Sequence, residues 1–342
     1  MITLKEIHQV IEKSTNPLIF FDDDPDGLAS YLLIYKYFKK GKGIPIKSSP
    51  KLDDIYLRKI KELSPDLVIV LDKPMISQDF VDQVNVPIVW IDHHAPQDIK
   101  GVKYFNPLLK DKNDLRPTSY WCYELTKKYL WVAMVGIIGD WSTAKLNEFS
   151  KKYPDLIKEE KTNEKIIYTT PFGKLVRVFS FILKGRTTEV AKLVSIIAKI
   201  DSPYELLDKA TPRANYIMKY VEKIESKYEP LVEKALSTKK RGKIISFLYS
   251  SKEFSFTKEL ANELLSKTDK EIIIVGRKKE KEITMSIRSR ESSPYILPPI
   301  LEKSLVGIEG YGGGHPHACG AHVSVEDYER FIENFKKNLT NP

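Results

Sequence analysis

Three short apolar runs, Leu18–Phe21, Leu67–Leu71 and Pro87–Ile91, each lead straight into an acidic residue, and amphipathic segments separate them. Leu67–Leu71 is a continuous run rich in β-branched residues, the mark of a strand buried on both faces. Helical spacing predicts helices over Leu28–Lys40, Asp53–Leu63 and Ser77–Val84, with a short strand at Ile44–Lys47. This β-α-β-α-β rhythm defines an α/β chain built on a doubly wound parallel sheet. In such a sheet ligands lie outside the carboxyl ends of the strands. Three strands therefore deliver Asp22, Asp24, Asp26, Asp72, Asp92 and His93 to one rim.

This alternation occupies the first 140 residues, and after the strands the pattern turns helical, with helices expected at Pro117–Tyr129, Phe172–Lys184 and Thr188–Lys199. Thr211–Ser237 is long and highly charged and reads as a linker helix that Pro230 should kink or end. Strands return at Ile244–Tyr249, Glu271–Gly276 and Ile283–Arg288, with helices at Thr257–Ser266 and Glu326–Asn338. The expected domains are residues 1–205, a helical linker 206–240, and a smaller α/β domain 241–342. A length of 342 residues suits two domains. With 42% apolar and 30% charged residues the chain is globular rather than disordered. No apolar run approaches the ~20 residues that span a bilayer, and Met1–Val10 lacks a signal-peptide core. Cys122 and Cys319 are too far apart for a metal knuckle or a disulfide scaffold, so the expected setting is a reducing cytoplasm without a membrane. The net charge of +9 favours anionic partners, nucleic acid above all, although Lys- and Glu-rich surfaces also arise for stability alone.

The segment Asp22-Asp23-Asp24-Pro25-Asp26-Gly27 packs several carboxylates that repel one another unless a cation neutralises them. An EF-hand is excluded: its twelfth position would be Leu33, where a bidentate Glu is needed. A solvated acidic turn and a Mg²⁺ or transition-metal site both remain for this segment taken alone. Gly136-Ile137-Ile138-Gly139-Asp140 ends a fourth apolar run in Asp, and four such ends are hard to ascribe to turns. Mixed carboxylate and imidazole ligands suit Mn²⁺ or Fe²⁺ better than Ca²⁺ or structural Zn²⁺. A bridging carboxylate allows a metal pair about 3.5–4 Å apart, the arrangement that hydrolyses phosphate esters.

Histidines cluster as well. His93-His94 follow Asp92, while His315, His317 and His322 lie within Gly310–His322. A Zn²⁺ site from His315, His317, Cys319 and His322 is one reading, weakened by its single thiolate. Gly312, Gly313 and Gly314 favour another, a close backbone approach in which N–H groups form an anion nest. Arg288 is either a bidentate phosphate contact or an exposed arginine without a role.

Taken in order, these motifs resemble the DHH phosphoesterase superfamily with its associated C-terminal domain, of the RecJ type. Asp22-Asp23-Asp24-Pro25-Asp26-Gly27 stands for the first motif, Asp72 for the second, Asp92-His93-His94 for the third and Gly139-Asp140 for the fourth. Gly312-Gly313-Gly314-His315 stands for the glycine-histidine motif of the associated domain. The resemblance implies two lobes joined by a helical linker and a two-Mn²⁺ centre facing a substrate groove, with Mg²⁺ as the other candidate metal. Asp24, Asp26, Asp72, His93 and Asp140 would be ligands, with Asp72 bridging. Asp22 would join them, at a place where many relatives carry histidine. Asp92 would orient His93, His94 would contact the scissile phosphate, and His315, Gly312–Gly314 and Arg288 would grip the substrate.

The implied function is a Mn²⁺-dependent exonuclease on single-stranded DNA or RNA, with replication or repair proteins as candidate partners. A phosphodiesterase for short or cyclic oligonucleotides is the alternative, favoured by the compact size and the absence of an evident OB domain. A non-catalytic replication scaffold ranks lower, because the acidic set is intact. Pyrophosphatase and exopolyphosphatase relatives rank lowest, since their second lobe lacks the glycine-histidine motif.

Overall fold

The acidic-ended runs become neighbouring strands. In chain order the first strands are β1 (Pro17–Asp22), β2 (Lys42–Ile46), β3 (Lys51–Leu52), β4 (Leu67–Leu71), β5 (Met75–Ile76), β6 (Ile88–Ile91) and β7 (Lys103–Phe105). Five of them form a parallel sheet in the order β2-β1-β4-β6-β7, with β3 and β5 paired beside it. Phe20, Val68, Val70 and Trp90 point to one face and enter a core completed by Phe80. Their neighbours Ile19, Ile69, Leu71 and Val89 are equally buried, so the strands are covered on both faces, as their apolar runs require. The chain leaves β1 toward β2 and then crosses back to β4 on the other side. That reversal opens a crevice at the carboxyl ends of β1 and β4, where Asp22 and Asp72 stand.

The computed structural model describes residues 2–47, 51–237 and 242–340. They form two units, Met1–Val221 and Glu222–Pro342. The expected linker helix spans Pro212–Ser237, so the division falls inside it; residues 238–240 of that expectation lie outside the described residues. Pro230 lies inside this helix and does not end it. Proline removes a single N–H from the ladder, and buried Tyr228, Val232 and Ala235 hold the turns on either side. Among the described residues no helix is long and apolar enough to cross a membrane.

Three other expectations change in detail. The helix expected at Leu28–Lys40 begins at Pro25 instead, because Asp24 caps it and proline suits a first turn. The run ending at Asp140 is a helix, Leu130–Gly139, so the fourth acidic end comes from a helix C-terminus. Its nearly all-round burial explains why no amphipathic period marked it. Gly310–His315 is a strand and not a loop.

That strand belongs to the second unit: β8 (Ile244–Ser250), β9 (Ile272–Lys279), β10 (Glu282–Ser289), β11 (Gly310–His315) and β12 (Ala318–Ser324), in the order β11-β12-β10-β9-β8. Only β8 and β9 run parallel; the other pairs are antiparallel. One face, with Ile283, Met285, Ile287, Cys319, Ala321 and Val323, packs on the helices Leu297–Ser304 and Tyr328–Thr340. The helix Thr257–Lys267 packs against β9 and β10.

The start of the long helix is tied down by Glu205. Its carboxylate accepts from Arg213 Nε and Thr211 Oγ1 at 2.6 Å each, and from the Asp201 N–H at 3.1 Å. The Arg213 bond, against the opposing cost of burial and with help from Thr211 and the Asp201 N–H, holds its pKa down to about 2. A depressed carboxylate stabilises the fold above its unfolded value and loses that contribution as pH falls. The melting temperature should therefore fall between pH about 4.5 and about 2. Glu205→Gln should cost about 1 kcal/mol at neutral pH, Arg213 being partly solvated, and flatten that acid limb in a pH series of thermal melts.

Candidate functional site

Each acidic side chain reaches the crevice by a different backbone device. Asp24 caps the Pro25–Phe38 helix: its Oδ1 accepts from the N–H groups of Asp26 (3.0 Å) and Gly27 (3.1 Å). The turn and the cation-seeking cluster are thus one structure, and the positive end of the helix faces the carboxylates. Gly27 is required there, because a Cβ would stand 2.4 Å from the carbonyl oxygen of Asp22. Asp26 is buried and accepts from the backbone of Thr118 (2.8 Å) and Ser119 (3.0 Å), the first turn of the Thr118–Thr126 helix. Asp72 adopts a left-handed backbone with φ 58°, a conformation Asp tolerates better than most residues, and accepts from Thr118 Oγ1 at 3.1 Å.

The carboxylates and imidazoles converge in three overlapping groups. Within each of Asp22–Asp24–Asp72, Asp26–His93–Asp140 and Asp72–His93–His94, one ligand atom per residue lies within 4.8 Å of the others. His93 Nε2 is 3.4 Å from Asp72 Oδ1 and 3.5 Å from Asp140 Oδ2. It is buried and makes no hydrogen bond. A buried ring nitrogen aimed at two carboxylates without bonding either is what a metal ligand looks like before its ion is added. The donor set thus fits a divalent cation. Burial, reinforced by the charges of Asp26, Asp24, Asp140 and Asp22, drives the Asp72 pKa well up. Burial also raises Asp26, with His93 opposing and Asp24 adding to the shift. Asp23 belongs to none of the groups and is pushed up to about 7 by desolvation and by Asp22.

Asp92 departs from expectation. It holds His94, not His93: Oδ1 meets His94 Nδ1 at 2.8 Å, and Oδ2 accepts the His94 N–H at 3.1 Å. Asn106, fully buried, braces the pair by donating to Asp92 Oδ2 and to the His94 carbonyl. The reason is local: an Asp side chain readily bonds the backbone two residues on, and here that turn draws the second imidazole inward. Burial works against the charged form of His94, but the Asp92 bond and the Asp92, Asp140 and Asp24 charges outweigh it and raise its pKa.

Sequence reasoning missed Lys73, Thr118, Ser119 and Asn106. Lys73 is buried and forms an ion pair with Asp22. Its position directly after the acidic strand end was the signal available. Pro117 preceding Thr118 marked the helix start whose N–H groups hold Asp26.

In the second unit, Arg288, Ala318 and His315 lie opposite one another across β10, β12 and β11, and so do Ser286, Gly320 and Gly313. Residues in register share a face, so Arg288 and His315 flank a floor of small residues about 10 Å across. Tyr311 stacks on His322 at 4.8 Å along the next row but one. A Cβ on Gly313 would meet nothing within 4 Å. The expected anion nest is absent, because successive N–H groups in a strand point to opposite sides. Arg288 donates from Nε to Asn262 Oδ1 at 2.8 Å and from Nη1 to the Ile287 carbonyl. The alternative zinc set is not gathered: among the described residues every group of ligand type lies in the first unit, and His317 Nδ1 meets Ser289 Oγ instead.

Residues 16–157 match the DHH family, N-terminal domain, and residues 242–341 match the DHHA1 domain. The chain belongs to the DHH superfamily and carries a C-terminal DHHA1 domain. No curated protein matches it by sequence. By structure it is similar to RecJ of Thermus thermophilus in complex with Mn²⁺, with a TM-score of 0.67 and 13% identity over 99% of this chain and 55% of that one. It thus spans about half the length of that relative. It is also similar to an exonuclease RecJ bound to manganese (TM-score 0.64, 13% identity, 99% and 94% of the two chains). A pGpG-specific phosphodiesterase from Vibrio cholerae is a further neighbour (TM-score 0.52, 13% identity, 96% and 100%). The shared feature is a DHH-family phosphoesterase fold.

The His94–Asp92 pair has a measurable signature. Before metal is added, a raised histidine pKa stabilises the fold fully below pH about 6.5 and loses that contribution as pH rises through the folded value. Asp92→Asn should lower the His94 pKa, read from its imidazole proton resonances. It should also destabilise the chain by about 1–3 kcal/mol, because an amide cannot serve all the donors around it.

Proposed function

We propose that this chain is a divalent-metal phosphodiesterase that removes nucleotides from an end of single-stranded DNA or RNA, with Mn²⁺ as its working metal. The observation that carries the reading is the buried His93 Nε2, without a hydrogen bond and facing Asp72 and Asp140. Asp24, Asp26, Asp72, His93 and Asp140 would hold the cations. Asp72 belongs to two of the three groups, one with Asp22 and Asp24 and one with His93 and His94, which suits a bridging role. Bound divalent cations concentrate positive charge and lower the pKa of water, the chemistry that phosphodiester hydrolysis needs near neutral pH.

The chain's own groups do the rest. Asp92 fixes the orientation of His94 and favours its charged form, so that the imidazolium donates to a phosphate oxygen. The backbone N–H groups of Thr118 and Ser119 keep Asp26 in place while charge changes around it. In the DHHA1 domain, Gly313 and Gly320 leave room for a strand to lie flat, with His315 and Arg288 at its edges. The net charge of +9 supports a polyanionic substrate. Support from relatives comes from the RecJ structures carrying Mn²⁺.

A second reading, hydrolysis of very short oligonucleotides, draws on the neighbour described as pGpG-specific, which this chain covers completely. End-labelled DNA and RNA from dinucleotides to long single strands decide between the two. The exonuclease reading requires rates that rise with length and affinity that falls with salt. Equal rates at all lengths without salt dependence favour the short-substrate reading. Asp72→Asn should lose bound Mn²⁺ and reduce hydrolysis well over about 100-fold, beyond what disturbing a ligand's support costs. Full activity in excess chelator would sink the metal mechanism.

The two domains have separable tasks. Gly313→Val and His315→Ala should fold and keep the Mn²⁺ content of the unaltered chain, yet lose most turnover on oligonucleotides. A nitrophenyl phosphodiester, with no strand to grip, should be affected less. Loss of metal in His315→Ala would show that this residue does not belong to substrate binding alone.

A further inference from the structure

Lys73 brings a positive charge into the crevice that the DHH-type motifs do not account for. Its side chain is 1% exposed, and Nζ forms an ion pair with Asp22 Oδ1. The backbone fixes it there: Trp90 Nε1 donates to the Lys73 carbonyl at 3.1 Å, and the left-handed turn at Asp72 precedes it directly. The two sides of the cluster are therefore unlike. On one, Asp26, His93 and Asp140 converge around an imidazole nitrogen that has no hydrogen bond. On the other, Asp22, Asp24 and Asp72 converge, and an ammonium already sits on Asp22. A buried ammonium is costly to remove from its carboxylate, because separating the pair leaves both charges desolvated. A divalent cation entering on this side meets a like charge within a few ångströms and a carboxylate already engaged.

We propose that Lys73 is a resident cation that makes the two metal positions unequal. It withholds Asp22 from coordination and weakens divalent binding at the Asp22–Asp24–Asp72 side, while the Asp26–His93–Asp140 side binds tightly. Lys73 is in this sense a positioning residue, acting through Asp22. The inference rests on the metal-centre reading above and deepens it.

Calorimetric titration of Mn²⁺ into the metal-stripped full chain tests it. The unaltered chain should show one tight and one clearly weaker event. Lys73→Met should tighten the weaker event by about tenfold or more, since a repelling charge is gone and a carboxylate is released, and leave the tight event in place. Asp22→Asn should preserve both events, and in the Asp22→Asn background Lys73→Met should tighten the weaker event less, because no carboxylate remains to be released. Two equally tight events in the unaltered chain, or an unchanged weaker event in Lys73→Met, overturn the role of Lys73 and leave the metal centre standing. A chain that binds no Mn²⁺ overturns the metal centre itself. If Lys73→Met does not fold, Asp22→Asn decides alone: loss of a binding event shows that Asp22 ligates metal and overturns the inference.

Discussion

Repulsion between carboxylates is the constraint around which the first unit is arranged. Two like charges about 4 Å apart at an effective dielectric near 20 cost about 4 kcal/mol, and Asp22, Asp24, Asp26, Asp72 and Asp140 lie in groups of about that spacing. The fold meets this cost with oriented backbone. Asp24 takes two N–H groups of the helix that it caps, and Asp26 takes two from the Thr118–Thr126 helix. Lys73 supplies one fixed positive charge. What remains unmet is His93 Nε2 and the raised pKa of Asp72, both of which a divalent cation would relieve.

The second unit solves a different problem, presenting a flat surface without an apolar face. Its sheet buries one side in a conventional core, and the helix Thr257–Lys267 covers β9 and β10 on the other. That leaves the outer row of Tyr311, Gly313 and His315 exposed on an edge strand. Such an edge is an open row of backbone donors and acceptors. Here glycine keeps side chains off the surface, while Tyr311 and His322 stack beside it.

The fold itself is shared by proteins with different descriptions. Neighbours with the same architecture at 13% identity include proteins described as RecJ and as a pGpG-specific phosphodiesterase. Architecture of this kind defines where a site can be, at the switch point of the sheet, and the side chains define what it does. Lys73 and the Asp92–His94 pair are side-chain choices of that sort.

The amino-acid sequence alone determined the sheet and the rim. Apolar runs buried on both faces, each ending in Asp, admit one arrangement in which their ends coincide, and Asp22, Asp72 and Asp92 follow from that. Asp24 before Pro25 was also a helix-start signal, one that the expected range beginning at Leu28 passed over. What the tertiary structure decided is which partner each side chain takes. Asp140 arrives from a buried helix whose all-apolar run has no diagnostic period. Lys73 faces inward because of a left-handed turn at Asp72, and the local Asp92–His94 turn is braced by Asn106, which packing brings in from a neighbouring strand end. Glycines that read as a loop became a strand because β12 lies alongside to pair with them. Pairings of this kind depend on residues distant in the chain, whose approach is set by packing and not by any local pattern.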